Sequence, residues 1–304
     1  MVDISNIPSY PETGRTPPTE MELKLKRQER RGAIIRYTIL TVMGLIMLYP
    51  LIWMVGASFK TNAEIFSSPW FFPKEPTVQG YIDGWKTSTP YTFGHFFLNS
   101  LYIVIPKMIG TAISSVIVAY GFARFEFPGK KILFGILIAT LLLPDVVTRI
   151  PQYLLFRELG WLDTYLPLFV PQWFAMEAFF VFMLIQFMRS IPRDMEEAAR
   201  VDGANTLQVL WYIVVPMMRP AIISVCLFVF MWTMNDFLGP LIYISSVENY
   251  PVSLALKLSI DATEAFAWNQ ILAMTVLALT PSLVVFFIAQ KYFIDGISTG
   301  GVKG

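Results

Sequence analysis

Six long apolar segments, separated by polar loops, dominate the hydropathy pattern of the chain. They centre on residues 36–57, 96–121, 132–150, 165–188, 220–243 and 270–293. A bilayer core about 30 Å thick needs roughly 20 apolar residues as a helix, so each segment meets or approaches the length of a membrane span. Pro144 and Asp145 interrupt the third segment, so the sequence defines the position of its outer end only to within several residues. The pattern therefore predicts an all-α membrane protein with six transmembrane helices.

The positive charges of the loops predict how these helices are oriented. If the N-terminus is cytoplasmic, sixteen Lys and Arg residues fall in the cytoplasmic segments and six on the opposite side, with Lys107 inside the second span. Loops rich in Lys and Arg tend to remain in the cytoplasm. We therefore expect both termini and the 189–219 loop to be cytoplasmic.

Composition excludes several classes of function. The net charge of +1, without a basic patch interleaved with aromatic residues, gives no reason to expect nucleic-acid binding. The single cysteine, Cys226, and the single histidine, His95, exclude a disulfide within the chain and leave too few ligands for an all-protein zinc site. No G-x-x-x-x-G-K-[ST] phosphate loop occurs, so the chain is not by itself a P-loop ATPase. We expect no catalytic residues, with His95 at the start of a span.

The stretch "RSIPRDMEEAARVDGANTLQVLWYIVVPMMRP", residues 189–220, is largely polar although apolar spans flank it. Pro192 suits the first turn of a helix, and Gly203 suits its left-handed C-terminal cap. Glu196 and Arg200 lie at i and i+4, which predicts an ion pair on a solvated face. The other face carries Met195, Ala198, Ala199 and Asp202.

Two adjacent alanines on that second face remove side-chain bulk, so the backbone of another protein can approach closely. A second helix can begin with Asn205 as N-cap and Gln208 three residues later, in the manner of a capping box, and continue to Pro216. The weak apolar face argues against deep insertion into lipid. The stretch is therefore predicted to dock a protein partner, the alternative being an ordinary helix on the lipid headgroups.

These residues resemble the EAA signature of ABC importer membrane subunits, in which E-A-A, two variable residues, D-G-A and I-x-x-P-x-x-x-P recur. The matching positions are Glu197, Ala198, Ala199, Asp202, Gly203, Ala204, Ile213, Pro216 and Pro220. Leu210 departs from the usual aromatic, a change that we expect to affect only packing. "FFLNSLYIV", "AYGFARFEFPGKKILF", "PQYLLFRELGWLDTYLPLFVP", "WTMNDFLGPL" and "TGGVKG" extend the resemblance over roughly residues 95–304. They resemble the carbohydrate-uptake branch typified by the smaller membrane subunit of the maltose transporter.

The resemblance implies a type I ABC importer fold in a bacterial or archaeal cytoplasmic membrane. The chain would pair with a second homologous membrane subunit, in a heterodimer, and would contact lipid. Two cytoplasmic ATPase subunits would hold ATP and Mg, an extracytoplasmic binding protein would deliver a sugar, and this chain would need no cofactor of its own. The helix around Glu197 would be the coupling helix that one ATPase subunit moves.

The same resemblance suggests a division of the chain. Residues 1–94 comprise a Pro-rich cytoplasmic tail, the first span and an extracytoplasmic loop. Residues 95–293 form a core of five helices with the coupling loop 189–219, and residues 294–304 form a cytoplasmic tail that would reach the ATPase dimer. The extracytoplasmic loop contains five aromatic residues that either rest at the lipid headgroups or contact a partner outside the cell: Trp70, Phe71, Phe72, Tyr81 and Trp85.

Polar residues inside membrane spans are costly and are therefore candidates for function. Trp232 offers a face for a sugar ring, and Asn235 and Asp236 suit its hydroxyl groups. An interhelical hydrogen bond or a place at the outer rim is the equal alternative for these three residues. Asn99, with Ser100, either caps the second span or faces the pore. Three further polar residues, Asp145, Arg149 and Glu177, suit an outer edge or gate.

Small residues in the second span predict close helix packing: Gly110, Ser114, Ser115 and Ala119.

The expected cargo is a di- or oligosaccharide. A polyol or glycerol phosphate ester carried by the same architecture is the alternative, and an autonomous carrier or a structural membrane protein is the third possibility.

Overall fold

The computed structural model describes residues 20–87, 89–261 and 267–301, and the regular structure within these ranges is helical. The predictions for residues 1–19 and for 302–304 lie outside the described residues. The α-helices of the described ranges are, in chain order, α1 (Glu20–Ala57), α2 (Asn62–Ser67), α3 (Gln79–Lys86), α4 (Phe93–Arg124), α5 (Lys130–Leu141), α6 (Asp145–Glu158), α7 (Leu166–Phe169), α8 (Ala178–Arg189), α9 (Asp194–Val201), α10 (Thr206–Gln208), α11 (Val215–Met217), α12 (Arg219–Met234), α13 (Leu238–Tyr243), α14 (Val252–Asp261) and α15 (Trp268–Gly301). Short 3₁₀ turns cover Val170–Phe174 and Val247–Asn249, and a π-helical segment covers Val209–Val214.

Four stretches within these ranges are long and apolar enough to cross a membrane, judged by length and composition. They are Gln28–Ala57, Phe93–Arg124, Leu166–Arg189 and Trp268–Gln290. Two further pairs of helices pass the same test together but are sharply bent, so the number of spans reaches six if each pair is one span. The last span continues as helix α15 to Gly301, through the segment that we expected to be a tail after residue 293.

The predicted break in the third segment is confirmed. Helices α5 and α6 meet at an angle of 101°, with Pro144 in extended conformation as the N-cap of α6. Proline disfavours helical conformation at the residue before it, which ends α5 ahead of Pro144. Asp145, which is exposed, and Arg149, which is partly buried, then form an i,i+4 ion pair at 3.9 Å on α6.

The fourth and fifth segments are also broken, which the hydropathy pattern did not predict. In the fourth, the 3₁₀ turn ends at Phe174, its C-cap Ala175 has a φ of +56°, and α8 begins only at Ala178. Glu177 therefore lies at a break inside the predicted span, where its carboxylate accepts a hydrogen bond from the Gln172 amide. In the fifth, α12 ends at Met234 and α13 begins at Leu238.

The chain divides into two compact units between Trp53 and Met54. In the first unit, the apolar side chains of α1 from Ile34 to Leu51 are largely exposed, as befits a surface that faces lipid or another subunit.

The second unit is built around α4, whose buried face packs with α8, α12 and the π-helical segment. The small residues predicted to pack closely are buried on this face. A Cβ atom on Gly110 would lie 2.5 Å from the Trp173 ring, and the Ser114 hydroxyl donates to the Gln172 carbonyl at 2.7 Å. The predicted close packing is confirmed, with the 3₁₀ turn as the partner of these residues.

The 58–86 segment is folded rather than a simple loop. The Lys60 ammonium is fully buried and donates to the carbonyls of Ser68 and Trp70, which closes the turn after α2. The Glu64 carboxylate accepts from the Lys74 amide at 2.7 Å. Helices α2 and α3 then pack against α15, where Asn62 accepts from the Asn269 amide. Trp70 and Phe72 remain exposed at the edge of this segment.

Candidate functional site

The first part of the candidate site is α9 and the corner that follows it. Three acidic residues lie in the first turn of α9 and Arg200 lies in the last, an arrangement that complements the helix dipole. The helix begins at Asp194, two residues later than predicted from Pro192. The predicted position of α9 is otherwise confirmed.

The C-terminal end of α9 is a Schellman motif, as the glycine predicted. Gly203 has a φ of +88°, and its amide donates to the Arg200 carbonyl. The Ala204 amide donates to the Ala199 carbonyl at 2.9 Å. These two bonds satisfy carbonyls that have no donor within the helix. Gly203 has open space around it, so it is required for its backbone conformation and not for lack of room.

The predicted capping box is also present. The Gln208 amide donates to Asn205 Oδ1 at 2.9 Å, and the Asn205 amide donates to Gln208 Oε1 at 2.8 Å. Helical structure then continues to Met217 through the π-helical segment, in which Leu210 is buried. At Met218 the chain turns by 76° into α12. Both sides of the Gly203 corner are thus fixed by local hydrogen bonds.

The corner presents an open surface. One shallow depression is lined by Ala199, Asp202, Gly203, Ala204, Gln208, Tyr212 and Ile213. Val201 is 87 % exposed and Tyr212 is 76 % exposed beside it, while Leu207 is also largely exposed. Glu197 and Ala198 are exposed on α9, with Glu197 at a second depression next to Arg193 and Arg200. Apolar groups exposed at a polar loop are typical of a protein interaction surface.

The predicted ion pair on α9 is wrong. Glu196 does not lie on a solvated face with Arg200: it is buried, and its Oε1 atom lies 2.6 Å from Nε of Arg124 in the last turn of α4. The i,i+4 rule considers only neighbours on the same helix. Here an arginine that is far away in the sequence lies close in space. Arg124 is the residue of this site that the sequence analysis missed.

The second part of the candidate site is the predicted substrate path on α12. Trp232 is 50 % exposed, and its ring packs against Phe179, Phe180 and Phe228. The exposed Asn235 donates its side-chain amide to the Met231 carbonyl at 2.7 Å and so closes the end of α12. Trp232 and Asn235 are three residues apart, which places them on the same side of this helix end.

The remaining two predicted residues hold local structure. The carboxylate of Asp236 accepts from the Gly239 amide at 3.0 Å, at the start of α13. The buried Asn99 amide donates to the carbonyls of Glu248 and Tyr250 at 2.7 and 3.0 Å. Asn99 therefore has a structural role: it holds a distant loop and does not cap its own helix.

A small cavity of mixed polar and apolar lining lies at the α12–α13 break. Asp236 and Ser100 line it together with Lys107 and Thr233, neither of which was predicted to form a site. The Thr233 hydroxyl is buried and has no hydrogen-bond partner among the described residues. Trp232, Asn235 and Asn99 do not line this cavity, so Asp236 is the one of the four predicted residues that reaches it.

Asp163, which precedes α7, ties two loops together at the end of α4 opposite to α9. Its carboxylate accepts from the amides of Ser245 and Ser246 and from the Ser246 hydroxyl. These bonds favour the charged form, so the pKa of Asp163 is lowered, chiefly by the Ser246 hydroxyl and then by the Ser246 amide. Its φ of +61° is a left-handed conformation that Asp tolerates better than most residues. No pattern in the sequence linked these positions.

Comparison with known proteins agrees with this architecture. Residues 111–299 match the model of the family described as binding-protein-dependent transport system inner membrane component. The chain is 28 % identical to the diacetylchitobiose uptake system permease protein NgcG of Streptomyces coelicolor, over 90 % of this chain and 89 % of that protein. It is 26 % identical to the galactooligosaccharides transport system permease protein GanQ of Bacillus subtilis, over 93 % of this chain and 99 % of the relative.

A solved structure is similar over nearly the whole length. It is a chain of a bacterial ABC transporter involved in the import of the acidic polysaccharide alginate, with a TM-score of 0.78 and 25 % sequence identity. The match covers 91 % of this chain and all of the other. Together with the family match over more than half of the sequence, these findings show that the chain belongs to the binding-protein-dependent transport system inner membrane component family of ABC importer permeases.

Proposed function

We propose that the chain is the permease subunit of an ATP-driven, binding-protein-dependent importer that passes a di- or oligosaccharide across a bacterial or archaeal cytoplasmic membrane by alternating access. The exposed, hydrogen-bonded corner at Gly203 is the observation that carries this proposal, because it presents a rigid docking surface on a chain of membrane-spanning helices. The names of the relatives NgcG and GanQ, a diacetylchitobiose and a galactooligosaccharide permease, support a saccharide cargo. The chain is not an enzyme, since ATP hydrolysis belongs to separate subunits of such importers.

The corner is proposed to receive an ATPase subunit. Glu197 and Ala198 on α9, with Ala199, Asp202, Gly203 and Ala204 around the depression, would form the contact surface. Closure of two ATPase subunits on ATP and Mg would then displace α9, and the bundle would change between two accessible states. The excess of Lys and Arg in the loops supports a cytoplasmic location for this surface and for both termini.

A second, homologous membrane subunit is proposed to complete the pore, in a heterodimer, with an extracytoplasmic binding protein that delivers the sugar. The exposed apolar surface of α1 supports contact with lipid and with such a subunit. On this chain, Trp232 and Asn235 are the proposed cargo contacts, since both remain exposed on one side of α12. Asp236 and Asn99 are proposed to hold the helix break and the loop that frame this path.

Gly203→Asp tests the docking surface, and Gly160→Asp is its matched control. Both glycines have a positive φ and open surroundings, but Gly160 follows α6, far along the chain from α9. We expect Gly203→Asp to abolish co-purification of the ATPase subunits and ATP-dependent uptake in proteoliposomes, whereas Gly160→Asp retains both. Intact assembly and uptake in Gly203→Asp would refute the docking assignment.

The cargo class is tested in the same proteoliposomes. Uptake of labelled di- and oligosaccharides, with the companion binding protein present, is expected to require ATP. Uptake only of a polyol or of a glycerol phosphate ester would keep the architecture and change the cargo. ATP-independent uptake by this chain alone would contradict an ABC importer altogether.

A further inference from the structure

The most deeply buried ion pair within the described residues joins the end of α4 to α9. Nε of Arg124 and Oε1 of Glu196 are 2.6 Å apart, and the two side chains are 4 % and 5 % exposed. In each of the other ion pairs of the described residues, at least one partner is largely exposed, as in the pair of Glu126 and Lys130. Charges that are removed from water are stable only with a partner, so Arg124 and Glu196 depend on each other.

Two hydrogen bonds reinforce this ion pair in a reciprocal way. Arg124 Nη2 donates to the Ile191 carbonyl ahead of α9, and Arg193 Nη2 donates to the Ala123 carbonyl in the last turn of α4. The last carbonyls of a helix have no donor within it and carry partial negative charge, which suits a guanidinium group. Each of the two segments therefore supplies an arginine to the other.

This junction resists relative movement of its two helices in a different way from an apolar contact. Apolar side chains keep most of their burial when one surface slides on another, because the hydrophobic effect has no direction. The attraction within a buried ion pair depends on the distance between the two charges, and their separation leaves two uncompensated charges. A shift of helix α9 that separates Arg124 from Glu196 at the end of α4 is therefore costly.

Helix α4 is in turn the central element of the bundle. Its 32 residues pack along α8 and α12, and its opposite end holds the loop after α13 through Asn99. Whatever displacement reaches the last turn of α4 is thus applied to the core of the chain and to both of its ends.

We infer that Arg124 and Glu196 are positioning residues that join α9 and the cytoplasmic end of α4 into one rigid body, so that a displacement of α9 by an ATPase subunit displaces α4 with it. The inference rests on the proposed function, which supplies the force on α9. It assigns the transmission of that force to a charged contact within this chain, behind the docking surface.

The test measures the distance between α9 and α4 in the complete importer. Nitroxide labels are placed at Asp194 and Ile117, both exposed, in a variant whose free Cys226 is replaced by serine. Distance distributions are compared without nucleotide and with ATP in EDTA, which allows ATP to bind without hydrolysis. With Arg124 and Glu196 intact, we expect the same distribution in both states.

In the Arg124→Met/Glu196→Leu double variant, the distribution is expected to shift or broaden on addition of ATP. This variant leaves no unpaired buried charge, so it also serves if the single variants fail to fold. Glu126→Gln, which removes a nearby exposed ion pair, is the matched control and should behave as the wild type does.

Two results would overturn the inference. One is a distribution that already changes with ATP when the pair is intact, and the other is a double variant indistinguishable from wild type. If the wild-type chain never co-purifies with ATPase subunits, the proposed function fails and the inference fails with it. If the chain does co-purify and one of the two results above is found, only the inference fails.

Discussion

Each end of α4 holds a segment that is distant in the sequence, and the two ends do so through different kinds of contact. At its beginning, the Asn99 amide donates to the Glu248 carbonyl at 2.7 Å, and Nε2 of His95 lies 2.7 Å from the same carbonyl oxygen. At its end, Arg124 holds Glu196 through a buried charge pair. In each case a helix of the core fixes a segment that lies far along the chain and outside the bundle.

The difference concerns how each junction fails. Single hydrogen bonds contribute about 1 kcal/mol each and can be lost one at a time, so the loop after α13 should loosen gradually. A buried charge pair is lost as a unit, because removal of one partner leaves the other uncompensated. The α9 end is therefore expected to be all-or-none and the opposite end to be graded.

Arg124→Met should produce the largest effect. The substitution leaves the Glu196 carboxylate buried without its partner, which costs about 3–5 kcal/mol in comparable sites. We expect a large fall in the thermal midpoint of the importer in mild detergent. The double variant Arg124→Met/Glu196→Leu should recover most of the loss, since it removes both charges. A single variant as stable as wild type would show that the pair is not energetically coupled.

Substitutions of Asn99 should produce an intermediate effect. Asn99→Ala removes two donors from a buried site, at a cost of about 1–3 kcal/mol. Asn99→Asp keeps the shape but places an acceptor against two carbonyl oxygens, so we expect it to be the less stable of the two. Equal thermal midpoints for the two variants would show that hydrogen-bond donation by Asn99 is unimportant. Hydrogen exchange at the 244–250 loop provides the local measurement.

The features that the sequence predicted well depend on neighbours within a few residues. The left-handed Gly203 follows from one residue type at the end of a helical pattern, and the Asn205–Gln208 capping box follows from a fixed spacing. The membrane-spanning character follows from composition alone. These signals are local, and tertiary packing did not override them.

The features that the sequence did not predict depend on distant partners. Glu196 was assigned to Arg200 because the helical rule sees only the same helix, while Arg124 lies 72 positions earlier and is the true partner. Asn99 was assigned to a cap or to the pore, and it bonds residues about 150 positions away. The break after Met234 was also missed, because its apolar flanks conceal the Asp236 bond that starts α13. A hydropathy pattern contains no information about such pairs.

Asp163 should give the smallest effect and the one that depends on pH. Because the folded pKa of its carboxyl is lowered by the bonds from Ser246 and Ser245, the charged form stabilises the junction above the ordinary pKa of 3.8, and this contribution is lost as the pH falls through the folded value. Asn tolerates the left-handed φ and retains an acceptor, so Asp163→Asn should cost only about 1 kcal/mol near neutral pH.

The difference in thermal midpoint between wild type and Asp163→Asn should therefore be constant from pH 7 to about pH 5 and should narrow below about pH 4, where the wild-type carboxyl gains its proton. A difference that stays constant through the acid range would show that the charge of Asp163 is irrelevant. The junction at the α9 end provides the contrast, since the Arg124→Met loss should already be complete at neutral pH. A graded, pH-dependent loss at one end of α4 and an abrupt loss at the other would establish that the two ends differ in the chemistry of their contacts and not only in their position.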